Sequence, residues 1–267
     1  MSATAQPALR PPRRSWSERA FDLLIWGGLA ALLIAGFHGA EISRMGSLFS
    51  DSANIRQHGA EFLSPNFTDW RLYVANMWLT IQMALWGTAF AILIAVPLGL
   101  AGARNVSPIW IQQPVRRLMD VLRSVPDLVV GSIFIVAVGL GPFAGVMALA
   151  VNTGGVLGKL FSEAVEAIDQ GPVEGIRATG AAPLQEIAWG VMPQVAPLWT
   201  SYALYRFEAN ARSATVLGLI GAGGIGQSLF DSINSFAYDQ TSAIVIVIVA
   251  AVSAIDLLSQ LIRTRLL

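Results

Sequence analysis

The segment Glu163–Pro193, EAVEAIDQGPVEGIRATGAAPLQEIAWGVMP, lies between two long apolar runs and carries Glu163, Glu166, Asp169, Glu174, Arg177 and Glu186. A connection that merely reversed the chain between two membrane spans would need only a few residues. This one has about 30, punctuated at Gly171-Pro172 and at Gly180, which predicts short helical pieces separated at those points. Such pieces bond their own backbone and leave side-chain faces on offer. The segment therefore reads as a docking element that receives work from a separate protein.

The composition around it belongs to a bilayer. Apolar residues make up 54% of the 267-residue chain and charged residues 13%, against about 25% charged in soluble domains; mean hydropathy is +0.59. Lys+Arg and Asp+Glu balance at 17 each, so net charge gives no footprint for nucleic acid. The absence of cysteine excludes thiolate metal sites. His38 and His58 have no ligand-spaced companions, so no metal is expected.

Working outward, the hydropathy pattern predicts an all-α integral membrane protein of six spans. Residues 1–19 form a Pro- and Arg-rich tail. Phe21–His38 reads as a retained first span, weakened by Asp22 and its glycines, with no small-residue cleavage site after it. Residues 20–72 comprise that helix and a mixed polar stretch with a turn signal at Pro65-Asn66; Ile55, Phe62 and Leu63 in it suit either an interfacial piece or a plain loop. The core, 73–262, opens with Tyr73–Gly102, longer than the roughly 20 residues that cross a bilayer and expected to kink at Pro97. Arg104–Arg117 reads as a cationic loop. Leu118–Leu140 is a third span interrupted at Pro126-Asp127, followed by a tight turn at Gly139–Pro142. Phe143–Phe161 is the fourth span, with Asn152-Thr153-Gly154-Gly155 at its middle. Beyond the docking segment come Gln194–Val216, a glycine-rich connection Leu217–Tyr238, and Thr241–Ile262, closed by a short tail at 263–267. With six spans, Arg10, Arg13, Arg14, Arg19, Arg104, Arg116, Arg117, Lys159, Arg177, Arg263 and Arg265 fall on one side and only Arg44, Arg56 and Arg71 on the other. The positive-inside rule then makes both termini and the docking segment cytoplasmic.

At the docking segment the chain resembles the ABC importer permeases. Glu174-Gly175-Ile176, Gly180 six residues after Glu174, and Met192-Pro193 follow the spacing of that family's EAA loop; Gly175-Ile176 depart from its Ala-Ala, Gly190 stands where Ile is usual, and Met192 replaces Leu. The resemblance runs from about Trp78 to Leu261 and is strongest to the phosphonate-import permeases. It is carried by QPVRRLMD (Gln113–Asp120), VGLGPFAGV (Val138–Val146), EGIRATGA (Glu174–Ala181), YRFEANARSATV (Tyr205–Val216) and GAGGIG (Gly221–Gly226). It implies a type I importer architecture in which Glu174, Gly175, Ile176, Arg177, Gly180, Ala181 and Pro193 contact a cytoplasmic ATPase through a coupling helix. The implied partners are a second copy of this chain, two ATPase subunits that hold the ATP and Mg, and an extracytoplasmic phosphonate-binding protein. The expected location is the bacterial inner membrane.

Charges inside the fifth span are the second constellation. Arg206 lies about 13 residues beyond Pro193, roughly 20 Å along the axis, past the bilayer midplane. Arginine at such depth should face the bundle interior or a wet cavity. Glu208 and Arg212 are spaced to pair on one face; Arg206 and Asn210 share another, about 200° round the helix. Arg206 is thus available to an anion, its forked guanidinium suiting phosphonate-like oxygens, or else bonds carbonyls or an acid such as Asp127 or Asp256. Arg212, Asn210 and Asn152 are further pathway candidates. Asn152 and Thr153 equally suit ties between helices. Gly221, Gly223, Gly224 and Gly226 match G-x-G-x-x-G but follow a membrane span instead of a strand, so a dinucleotide site is not implied. They read as an outer-face gate turn or a simple tight connection. Asp120 and Arg123 are expected to pair. No phosphate-binding G-x-x-x-x-G-K-[ST] loop and no nucleophile–base arrangement stands out, so neither catalysis nor a cofactor is expected in this chain. The rival to the ATP-driven importer is an ion-coupled carrier or channel for a small anion, which leaves the docking segment without a role. A membrane-embedded enzyme stands further off.

Overall fold

A computed structural model of the chain describes residues 16–46 and 58–266. Ile55 and most of the expected N-terminal tail lie outside them. The described residues are helical throughout apart from turns, without a strand, and the chain divides into two compact units, Met1–Gly59 and Ala60–Leu267.

The first unit holds α1 (Trp16–Gly39) and a 3-10 turn at Ile42–Gly46. Within α1 the stretch Arg19–Phe37 is long and apolar enough to cross a membrane. The helix begins at Trp16, so residues 16–19 belong to it and not to the tail.

In the second unit α2 (Trp70–Gly102) runs its 33 residues through Pro97 without a break. Asn66 makes the turn before it, accepting the N–H of Thr68 at 2.9 Å. At 1.5 Å per residue α2 is about 50 Å long, well beyond the ~30 Å hydrocarbon layer. It packs along α5 (Pro142–Glu166) through small residues: a Cβ on Gly87 would come within 2.7 Å of Leu149 Cβ, and one on Gly99 within 2.6 Å of Phe161 Cβ. Lipid tails are as apolar as leucine, so such helices associate by close packing and not by expelling water.

Two sequence expectations are corrected here, and a third is borne out. The cationic loop Arg104–Arg117 shrinks to residues 103–108, because α3 (Ile109–Ser124) is an amphipathic helix that contains Arg116 and Arg117 and buries Gln112 and Met119. The interruption expected at Pro126-Asp127 is present, and α3 and α4 (Asp127–Val138) meet across it at 90°. Pro126 causes the break, since it lacks an N–H and biases its predecessor to extended backbone, and Val125 sits at φ −87°, ψ 124°. With 12 residues α4 is about 18 Å long and crosses only as the second half of a broken span. Lastly, Gly171-Pro172 do not separate helical pieces. They occupy the first turn of α6 (Gln170–Ala178), where a proline costs no hydrogen bond; Asp169 caps that turn, accepting the Gly171 N–H at 3.0 Å, and the break falls at residues 167–169.

After α6 come α7 (Pro183–Glu186), a π turn Ile187–Val191, α8 (Met192–Leu217), a second π turn Gly218–Ala222, α9 (Ile225–Asn234) and α10 (Tyr238–Leu266). The glycine-rich stretch Leu217–Tyr238 is therefore mostly helix, bent by 58° at its glycines, and not a simple connection. Four helices are long and apolar enough to span a membrane, and six spans result when each bent pair counts as one.

Candidate functional site

The docking segment is fastened at both ends. At its root Gln194 reads the backbone of Asp169 in both directions: its Oε1 accepts the Asp169 N–H at 3.1 Å, and its Nε2 donates to Asp169 O at 3.1 Å. At its far end Arg177 forks onto Glu186, with Nη2 2.8 Å from Oε2 and Nε 3.1 Å from Oε1. The charge that answers Arg177 is thus across the loop, and not Glu174 one turn back on α6. Gly180, at φ +83°, makes the turn between α6 and α7; a Cβ there would touch nothing within 4 Å, so the requirement is conformational and not spatial. Val173 and Val191 sink into the same core as Phe161 and Trp199, whose rings stack at 4.3 Å. Glu174, Gly175, Arg177 and Ala178 are left outward. Two large apolar residues that the sequence reading did not single out also face out, Leu184 at 80% and Trp189 at 74% exposed.

One acid ties this handle to the neighbouring helices. Glu166 Oε1 accepts the Arg104 backbone N–H at 2.8 Å and the Arg116 guanidinium, while Arg116 Nε donates to Gly102 O at 2.9 Å. Asn105 Nδ2 adds a bond to Val165 O at 2.7 Å. The end of α5 is thereby clamped to the α2–α3 corner. Sequence spacing could not show this node, because 50 residues separate Arg116 from Glu166.

The charges of α8 find partners on other helices. Glu208 bonds Arg263, and Arg212 lies 3.4 Å from Asp256, so both acid–base pairs join α8 to α10. The spacing-based pairing of Glu208 with Arg212 is corrected accordingly: each has a closer partner on the facing helix. Asn210 is fully buried, accepting from Thr153 Oγ1 at 2.7 Å and donating to Thr88 Oγ1 at 2.9 Å, which links α8, α5 and α2. Asn152 Nδ2 donates to Val125 O at 2.8 Å, satisfying a carbonyl freed by the break before α4. Arg206 differs from these. Its Nη2 donates to Thr153 Oγ1 at 3.3 Å, neither Asp127 nor Asp256 bonds it, and its buried Nε has no partner. Of the four pathway candidates, Arg206 alone combines depth with an uncommitted donor. Asp120 and Arg123 pair as expected, at 3.2 Å, with Lys159 at 3.9 Å from the same carboxylate.

The gate candidates form a pinned turn. Gly221, Gly223 and Gly224 have φ of +98°, +82° and +75°. Gly221 O accepts the Gly141 N–H at 3.1 Å, and Thr80 Oγ1 accepts the Ile225 N–H at 2.9 Å. Gly226 lies against backbone: a Cβ there would sit 1.8 Å from Thr215 O. A cavity of about 530 Å³ opens beside this turn, lined by Asn76, Leu140, Pro142, Gly223, Gln227 and Asp231 among others.

Comparison with known proteins bears on these arrangements. Residues 95–267 match the family model for the binding-protein-dependent transport system inner membrane component. A phosphite transport system permease protein of Stutzerimonas stutzeri is 39% identical over 218 residues, covering 81% of this chain and 79% of that protein. A cryptic phosphonate transport system permease protein of Escherichia coli is 60% identical over 117 residues, 44% of this chain and 96% of that one. Among solved structures, an inward-facing MetNI methionine ABC transporter chain superposes with TM-score 0.66 at 22% identity, over 76% of this chain and 99% of its own length.

Proposed function

We propose a function from one premise: this chain belongs to the family of binding-protein-dependent transport system inner membrane components. It is the permease subunit of an ATP-driven importer for phosphonates or related phosphorus oxyanions, and it works by alternating access. A binding protein delivers the anion to the outer mouth; two cytoplasmic ATPase subunits holding ATP and Mg pull on the docking segment of each of two copies of this chain. Both termini and the docking segment are cytoplasmic. The chain moves its cargo without chemical change, and hydrolysis belongs to the ATPase.

The observation that carries this reading is the handle's construction. Its outer surface presents Glu174, Gly175, Leu184 and Trp189 to a partner, while its inner surface is continuous with the core through Val173, Val191 and Trp199. A push on α6 reaches α8 directly, because Gln194 holds Asp169 and the backbone runs on from Pro183 through the π turn at Ile187–Val191 into α8. An ion-coupled carrier has no use for such a lever. The substrate class is supported by the named phosphorus-anion relatives and by the free donor of Arg206 at depth.

Proteoliposomes holding this chain, its ATPase and its binding protein should take up methylphosphonate only with internal or external ATP on the ATPase side. Accumulation by the chain alone, down an ion gradient, would establish the carrier instead. Thr264→Cys and Gln227→Cys should be labelled from opposite sides of the membrane; labelling from one side would overturn the orientation. Differently tagged copies should co-purify, whereas recovery only with a second, related permease chain would make the dimer a heterodimer.

Gly180→Val tests the handle. A side chain at φ +83° costs about 1–2 kcal/mol, and β-branching adds to it. Membrane insertion should be intact while retention of the ATPase falls about 5–30-fold. Normal retention would place the contact elsewhere.

A further inference from the structure

Four buried side-chain atoms among the described residues have no hydrogen-bond partner: Gln112 Nε2, Asp127 Oδ1, Arg206 Nε and Arg263 Nε. Two of them belong together. Asp127 is the acid whose charge acts on Arg206, and both residues are held at one level of α5. Asn152 Nδ2 bonds Val125 O, directly before the break that starts α4 at Asp127, and the next residue, Thr153, accepts from Arg206. Each group is fixed through its other atoms. Ser213 Oγ donates to Asp127 Oδ2 at 2.7 Å; Arg206 Nη2 rests on Thr153, which Asn210 holds in turn from Thr88. On α8, Arg206, Asn210 and Ser213 follow one stripe at i, i+4 and i+7, so one helix face sets all three supports. The surrounding charges are engaged elsewhere: Arg212 with Asp256, Glu208 with Arg263, and Arg123 and Lys159 with Asp120. Tyr205, the other titratable neighbour of Arg206, directly precedes it in the chain.

We propose that Arg206 and Asp127 together form a mid-membrane receptor for a tetrahedral oxyanion that still carries one proton. This rests on Arg206 lying in the transport pathway. Arg206 donates to the ionised oxygens, and Asp127 Oδ1 accepts the hydrogen bond of the remaining O–H. The positive end of α4, a half-helix starting inside the membrane, adds to the attraction for the anion. A cationic pocket alone would take any oxyanion of suitable size. A carboxylate held by Ser213, on the same stripe of α8 as Arg206, changes that: an anion without O–H brings two negative charges together out of water, whereas a protonated one gives the unpartnered Asp127 Oδ1 a donor. Phosphorus oxyanions meet this requirement because their second ionisation lies near neutrality, about 6 for a phosphate monoester. Sulfate, fully ionised at neutral pH, does not. Asn210 and Asn152 thereby become positioning residues, which accounts for two polar groups at the middle of a span that touch no open pathway.

The test uses the full chain with its ATPase in lipid nanodiscs, without the binding protein, so that its selectivity does not intervene. Binding of labelled methylphosphonate is measured with sulfate as competitor. The wild type should bind methylphosphonate and ignore sulfate. Asp127→Asn replaces the acceptor with a group that also donates, and the methylphosphonate-to-sulfate preference should shrink by at least about 10-fold. Ser213→Ala, which frees Asp127 Oδ2, should shift the preference the same way by less, and it serves if Asp127→Asn fails to assemble. An unchanged preference in both variants overturns the inference. Arg206→Ala separates the two levels: loss of methylphosphonate binding there, with both other variants unchanged, leaves the pathway intact and removes only Asp127's role. Full binding by Arg206→Ala removes Arg206 from the pathway, and the receptor with it.

Discussion

Gly226→Ala should unfold the α8–α9 end of the bundle at a temperature well below the wild type. Its new methyl would stand 1.8 Å from Thr215 O and 3.0 Å from Gly218 Cα, both backbone atoms. Side chains can rotate away from an intruder; a carbonyl inside α8 cannot move without breaking its helix. Gly218 repeats the situation from the other side, since a Cβ on it would meet Gly223 O and Gly226 Cα at 2.7 Å. α8 and α9 therefore cross glycine on glycine, and the 58° bend between them depends on that contact. Ordinary overpacking costs about 1–3 kcal/mol, and a clash confined to backbone should exceed it, reaching the exceptional class above ~4 kcal/mol. For a chain of this size that corresponds to a fall of about 8–16 °C in Tm, measured by thermal unfolding of the purified protein in detergent. Gly175→Ala is the control: a Cβ there meets nothing within 4 Å, it lies in α6, and helix propensity favours the alanine by up to ~1 kcal/mol. Equal Tm values for Gly226→Ala and the wild type would show that α9 is not seated under α8.

The same glycines show where reading the sequence stopped. GAGGIG reads as a flexible turn because glycine is permissive, yet in the structure half its purpose is to let backbones touch, and a single sequence does not separate these uses. The docking segment was more legible. Its length, its polar content between apolar runs and the position of Gly180 all follow from local chemistry, and the turn between α6 and α7 falls at Gly180 as that chemistry has it; the start of α6 does not, because Gly171-Pro172 sit inside its first turn. The break at Pro126 was legible for a similar reason, because proline acts on its immediate neighbours; the 90° angle was not, because packing on α5 sets it. Charges inside α8 were misassigned for a definable cause. Spacing arithmetic sees one helix at a time, so it offered Glu208 to Arg212, whereas Arg263 and Asp256 lie 55 and 44 residues away on α10. α3 did leave a signal, Gln112, Arg116, Met119 and Arg123 at helical spacing. Its arginines disguised it as loop. Leu184 and Trp189 left none, since an apolar residue next to a membrane span is ordinarily taken to face lipid.

Arg206→Ala should separate assembly from transport. An arginine past the middle of a span costs about 2.5–3.5 kcal/mol on insertion scales, so removing it should not reduce, and can increase, the amount of inserted protein. The supports around it survive without it: Thr153 still donates to Asn210, and Asn210 to Thr88. A structural arginine, removed, would lower the yield of assembled complex and leave each remaining complex active. A substrate arginine does the reverse. Losing one charge-assisted contact to the anion is worth about 1.5–3 kcal/mol, hence a fall of about 10–150-fold in uptake per assembled complex, with the ATPase still retained by the handle some distance away. Arg206→Lys keeps the charge and loses the fork, so it should recover only part of the rate. The measurement is initial uptake of methylphosphonate divided by the amount of complex recovered. A normal quotient in Arg206→Ala would mean that its buried donors serve the helices alone, and that the anion passes along another face of the bundle.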